Sequence, residues 1–272
     1  MYQASRHDMN KSERLNRLLP NGRGVWIPID HGMSDFPTVG LEDTEYLIRE
    51  LTDAGVNAII AHKGVVSHYH HLCDGTNTSM VIHFSASTRH GGLDADRKVA
   101  VGQASEVESR GGAAASAQIN IGSDGEATML EAMGKLTTEC HQRELPVLGM
   151  VYARGPNLQV DGDETNGVAH AARIAFEIGC DVGKTTWTGD EKTFARVTSG
   201  VPIPLLVAGG PKSDTRSMLA MVKMAMNNGA AGVCMGRQVF AHESPKSVAK
   251  ALMMIVHDEA SVDDAMTANG LL

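Results

Sequence analysis

Short runs of apolar and β-branched residues alternate with helical patterns along the whole of this 272-residue chain. No other feature narrows the fold as much. The strand-like runs are VWIPID (25–30), NAIIAH (57–62), MVIHFS (80–85), ASAQINI (115–121), PVLGMVY (146–152), CDVGKTT (180–186), PLLVAGG (204–210) and AGVCMG (231–236). Most lead into a helical pattern. In LEDTEYLIRELTDAG (41–55), Leu41, Tyr46, Leu47, Leu51 and Ala54 fall near helical spacing and Gly55 stops the run. Several strands are apolar throughout, as parallel strands covered on both faces are. Eight such units predict an α/β chain folded as one (β/α)8 barrel over 1–272, with 1–20 as an N-terminal extension and 259–272 as a C-terminal tail. An open doubly wound sheet would want a glycine-rich turn after the first strand, and PIDHGMSDF is not GxGxxG.

Composition narrows the function classes. The formal net charge is -8, which argues against nucleic acid as a partner. No run of 18 apolar residues is present to span a membrane, and the first twenty residues carry no apolar signal core. Cys73, Cys140, Cys180 and Cys234 are scattered, with no CxxC pair, so a reduced cytoplasmic protein is expected. The stretch 64–79, GVVSHYHHLCDGTNTS, reads as an irregular loop over the barrel mouth. Its histidines, His68, His70 and His71, read as solvated loop side chains, and no metal is assigned to them. In GSDGE (122–126), Ser123 or Asp124 reads as a helix cap.

A barrel of this kind builds its site where strands end and βα loops begin. Those ends read Asp30-His31, His62-Lys63, Ser85, Asn120, Tyr152 with Arg154, Lys184, Gly209-Gly210 and Gly236-Arg237. Lys184 has three possible roles. It pairs with Asp30 or Asp181, it holds a phosphate, or it is a Schiff-base nucleophile made neutral by desolvation and nearby cations. Glycine turns after strands 7 and 8 expose backbone N–H groups that suit a phosphate, and Arg237 adds a charge. A phosphate held there leaves Lys184 facing the carbon chain. Lys63 is a rival nucleophile, better read as structural or as a substrate contact. His31 reads as an orienting partner for Asp30 or as pocket lining.

At this point the chain resembles the archaeal-type class I (Schiff-base) aldolase family, which includes class I fructose-bisphosphate aldolases. PIDHG, AHKGVV, IHFSAST, INIGSD, MVYARG, HAARIAFEIGCDVGKTTWTGD, VAGGPK, GAAGVCMGRQVF and IVH carry the likeness over roughly residues 20 to 258. INIGSD and HFSAST favour its heptulosonate-synthase branch over the hexose-bisphosphate branch. The resemblance implies that Lys184 forms the Schiff base, that Tyr152 and Asp30 are the acid/base groups, and that Gly209, Gly210, Gly236 and Arg237 hold phosphate. It implies an aldolase or transaldolase joining a phosphorylated ketone to a small aldehyde, with L-aspartate 4-semialdehyde expected as acceptor. It further implies no cofactor and a homo-oligomer, a pentamer or decamer. Ala153 stands where relatives have proline, and the 64–79 stretch departs from their basic, glycine-rich segment. Other readings are hexose bisphosphate cleavage, acyl transfer between phosphorylated ketones, and a non-catalytic phosphate-binding barrel.

Overall fold

The computed structural model describes residues 9–210 and 213–272, so residues 1–8 of the expected extension, and Pro211 and Lys212 of VAGGPK, lie outside it. Eight strands form the barrel: β1 (Gly24–Pro28), β2 (Ala58–His62), β3 (Ser79–His83), β4 (Ala114–Ile121), β5 (Val147–Ala153), β6 (Val182–Thr185), β7 (Leu205–Val207) and β8 (Gly232–Cys234). They close in chain order, each parallel to its neighbours, with β8 beside β1. The predicted (β/α)8 barrel is therefore the observed fold.

Strand side chains alternate between two cores. Val25, Ile27, Ile59, Ala61, Val147 and Val233 point outward, against the helices. Trp26, Ala58, Ile60, Val81, Leu148, Val182 and Leu206 point inward. Leu18 and Leu19 follow the helix Lys11–Leu18 into that inner cluster, and Trp26 donates its indole N–H to the Leu18 carbonyl at 2.9 Å. Leu18 is fully buried, which contributes on the order of 2 kcal/mol. The N-terminal end is thus plugged, and the opposite end is left open for a site.

Two local expectations are corrected. The stretch 64–79 is not an irregular loop: Lys63–Tyr69 is a helix and His70–Cys73 a 3-10 turn. Val65, Val66, Tyr69, Leu72 and Cys73 recur at helical spacing and pack on the outer core. None of residues 64–79 lines the central pocket. The helix Glu126–Gln142 has Gly125, not Ser123 or Asp124, at its N-cap, with no side-chain cap bond. Ser123 is drawn away because its hydroxyl donates to the Asn120 carbonyl at 2.8 Å, while Glu126 accepts from the Gly122 N–H.

Candidate active site

A pocket of about 410 Å³ opens at the C-terminal ends of the strands. All nine sequence-predicted site residues line it: Asp30, His31, Tyr152, Arg154, Lys184, Gly209, Gly210, Gly236 and Arg237. Strand period explains the central ones. Val182 points inward, so Lys184, two residues on, does as well, in register with Met150 of β5 and Leu206 of β7. Met150 and Tyr152 share the inward face of β5 by the same rule. The Lys184 Nζ lies 5.9 Å from the Tyr152 ring centroid.

Asp30 follows β1 and is flanked by histidines. His31 Nδ1 lies 3.3 Å and His83 Nε2 3.7 Å from its oxygens. Burial pushes the Asp30 carboxyl up, but His31, His83 and Lys184 outweigh it and hold the group well below the usual carboxylate range. Burial drives His83 down to about 4, so that ring is neutral at neutral pH. Cys234 lies on the pocket wall, and burial pushes its thiol up to about 11.

Lys184 reverses the expectation of a depressed pKa. Burial works against its ammonium, but Cys234, Tyr152 and Asp30 favour the charge and together raise it above the ordinary lysine value. Asp30 is the carboxylate among these neighbours, so an ammonium and a carboxylate face the same pocket at rest. Asp181 is not a partner: it pairs with Lys11 at 3.1 Å. Lys63 opens a helix, reaches Glu106 at 3.1 Å and does not line the pocket, which removes it as a rival nucleophile.

The turns after β7 and β8 face the same cavity. Gly210 has φ +63, a conformation that side chains rarely adopt. A Cβ on Gly236 would stand 2.3 Å from the Pro28 carbonyl oxygen, so the close approach of β1 demands glycine there. Arg237 is exposed at the rim and starts a helix of only four residues, Arg237–Phe240. On the opposite wall, Arg154 lies over the Tyr152 ring at 4.6 Å and donates from Nε to Asn120 Oδ1 at 2.9 Å.

Sequence reasoning missed His83 and Lys98. His83 was legible, because Val81 points inward and His83 is two residues on. Lys98 sits in the segment between β3 and β4 and carries no periodic signal. Among the described residues, no group of three His, Cys, Asp or Glu side chains is arranged to hold a metal ion, and no helix is long and apolar enough to cross a membrane.

Comparison with known proteins places this geometry. The DeoC/LacD family aldolase profile matches residues 25–242. A Halobacterium salinarum protein named 2-amino-3,7-dideoxy-D-threo-hept-6-ulosonate synthase is 35% identical over 97% of this chain and 98% of its own length. A Streptomyces griseus protein named 2-amino-4,5-dihydroxy-6-oxo-7-(phosphonooxy)heptanoate synthase is 35% identical over 92% of each chain. Among solved structures, an archaeal fructose-1,6-bisphosphate aldolase whose catalytic lysine is bound to the carbinolamine of its substrate is 28% identical, with a TM-score of 0.80 over 91% of this chain and 99% of its own.

Proposed function

This chain belongs to the DeoC/LacD family of aldolases, and from that premise we propose that it joins a phosphorylated ketone to L-aspartate 4-semialdehyde through a Schiff base on Lys184. One observation carries the reading. Lys184 and Tyr152 project into one pocket, with Asp30 on one side and the Gly209-Gly210 and Gly236-Arg237 turns on another. The product named for the Streptomyces relative bears 2-amino, 4,5-dihydroxy and 6-oxo groups. An aldol bond between its fourth and fifth carbons joins a four-carbon α-amino-acid aldehyde to a three-carbon ketone phosphate. Dihydroxyacetone phosphate is then the donor, and a deoxyketohexose phosphate is its counterpart in a transaldol exchange.

The chemistry balances on these residues. Lys184 loses its ammonium proton to solvent as the donor binds, and the free amine adds to the donor carbonyl. A solvent proton relayed through Asp30 reaches the carbinolamine oxygen, which leaves as water. The product is an iminium with the same positive charge as the starting ammonium. The surroundings that favour charge on Lys184 therefore favour the iminium too, and this electron sink stabilises the enamine that follows. Tyr152 carries a proton from the donor carbon to the acceptor oxygen as the new C–C bond forms. Water then hydrolyses the iminium and restores Lys184. The phosphate rests on the glycine turns, with Arg237 adding a charge-assisted bond.

Hexose bisphosphate chemistry would share the donor half of this site and differ in the acceptor's anion. Incubation with dihydroxyacetone phosphate and aspartate semialdehyde should give the seven-carbon aminoketone phosphate by mass spectrometry. Consumption of the donor only with glyceraldehyde 3-phosphate would contradict the acceptor assignment. On family likeness we also propose a cytoplasmic homo-oligomer, a pentamer or decamer. A monomer in sedimentation at micromolar concentration would contradict the assembly.

A further inference from the structure

The pocket holds four lysine and arginine side chains, Lys98, Arg154, Lys184 and Arg237, against one carboxylate, Asp30. Lys184 and Arg237 have places in the donor half. Lys98 and Arg154 remain, on the wall between β3 and β5, and neither has an ion pair among the described residues. Both are held by neutral partners. Lys98 Nζ donates to Ser87 Oγ at 2.7 Å, and Arg154 Nε to Asn120 Oδ1 at 2.9 Å. Asn120 is fully buried and fixed in turn, donating to the Asp96 carbonyl at 2.7 Å and accepting from Gln118 Nε2 at 2.8 Å. Burial pushes the Lys98 ammonium down, and the Arg154 charge pushes it further. Asp30 and Asp96 offset this only in part, and two like charges held near each other cost free energy that an incoming anion relieves.

Resting on the aldolase reading, we propose that Lys98 and Arg154 bind the carboxylate of the acceptor's α-amino-acid head, with the Gln118 carbonyl oxygen accepting from its ammonium. The Gln118 amide oxygen favours that head over a second phosphate. Arg154 has its Nε committed to Asn120 and keeps its terminal nitrogens for an oxygen pair. Gln118 points its amide nitrogen at Asn120, and its own oxygen takes no hydrogen bond among the described residues. An acceptor oxygen beside two cations suits a zwitterion and opposes a dianion. The guanidinium lies over the Tyr152 ring, so a head bound there leaves the far end of a four-carbon chain near the reacting centre.

L-Homoserine tests this without catalysis, since it carries the same head on an unreactive alcohol. Its binding to the unaltered protein and to Lys98→Met is measured by calorimetry, with glyceraldehyde 3-phosphate as the competing anion. Loss of one charge-assisted contact should weaken homoserine about tenfold or more, and Lys98→Arg should recover most of it. The Lys184–donor adduct trapped by borohydride should form equally in both proteins. Unchanged homoserine binding in Lys98→Met, or a larger loss for glyceraldehyde 3-phosphate than for homoserine, would overturn the proposal. A failure of the aldolase reading would show separately, as no donor adduct in the unaltered protein.

Discussion

His83 Nε2 lies 3.7 Å from Asp30 Oδ2, and its other ring nitrogen, Nδ1, lies 2.8 Å from Ser116 Oγ. The ring is 2% exposed. Only one proton arrangement leaves no two lone pairs facing: Ser116 donates to Nδ1, and Nε2–H points at the carboxylate. His83 is thus a positioning residue: the Asp30 carboxylate, which only accepts, sets its tautomer, and the Ser116 hydroxyl turns to match it and holds the ring. Ser116→Ala should keep the Nε2–H tautomer, visible in the nitrogen NMR shifts of His83, but leave the ring less firmly held. Turnover should fall about fivefold with the donor KM unchanged, the size of one neutral hydrogen bond. Ser116→Thr should restore turnover. Appearance of the other tautomer in Ser116→Ala would contradict the assignment.

The same ring makes stability depend on pH. Burial lowers His83 from 6.5 to about 4, so between those values the unfolded chain binds a proton there that the folded chain does not. The stabilisation is complete above pH 6.5 and is lost as pH falls toward 4. Its full size is roughly 3 to 4 kcal/mol, at about 1.4 kcal/mol for each pH unit of that window. Urea midpoints should therefore drop across this window, and His83→Gln should flatten the drop. An equal slope in both proteins would assign the effect to other groups.

The barrel was legible because both of its signals are local and periodic. Strands with a continuous apolar run, such as AIIA at 58–61, can be built only with cover on both faces, and alternation aims Lys184 and Tyr152 inward once Val182 and Met150 are placed. Strand ends then gathered all nine predicted residues, because the fold itself brings them to one rim. What escaped depends on contacts between distant segments. Lys98 reaches the pocket only because its segment folds back beside Ser87. The charge state of Lys184 is set by Asp30, Tyr152 and Cys234 on other strand ends, and no spacing encodes their sum. Within 64–79, polar histidines mask the apolar spacing of Val65, Val66, Tyr69 and Leu72 along the helix Lys63–Tyr69 and the turn that follows it.

Arg237 tests the donor half of the site. It is exposed at the rim beside Gly236, with no ion pair among the described residues. Arg237→Ala should raise the KM for dihydroxyacetone phosphate about tenfold to a hundredfold while leaving that for unphosphorylated dihydroxyacetone within about twofold. Folding should be unaffected, since surface substitutions of this kind shift stability by about 0.5 kcal/mol or less. Equal losses for both ketones would remove Arg237 from phosphate binding.

The covalent role of Lys184 is tested most directly by borohydride reduction. The unaltered protein, reduced in the presence of dihydroxyacetone phosphate, should gain the mass of the reduced donor at Lys184. Lys184→Arg keeps the positive charge, but a guanidinium does not deprotonate to become a nucleophile. That variant should fold, bind the donor phosphate, remain unlabelled and show no turnover. A donor adduct on Lys63 or Lys98, or turnover retained by Lys184→Arg, would contradict the account.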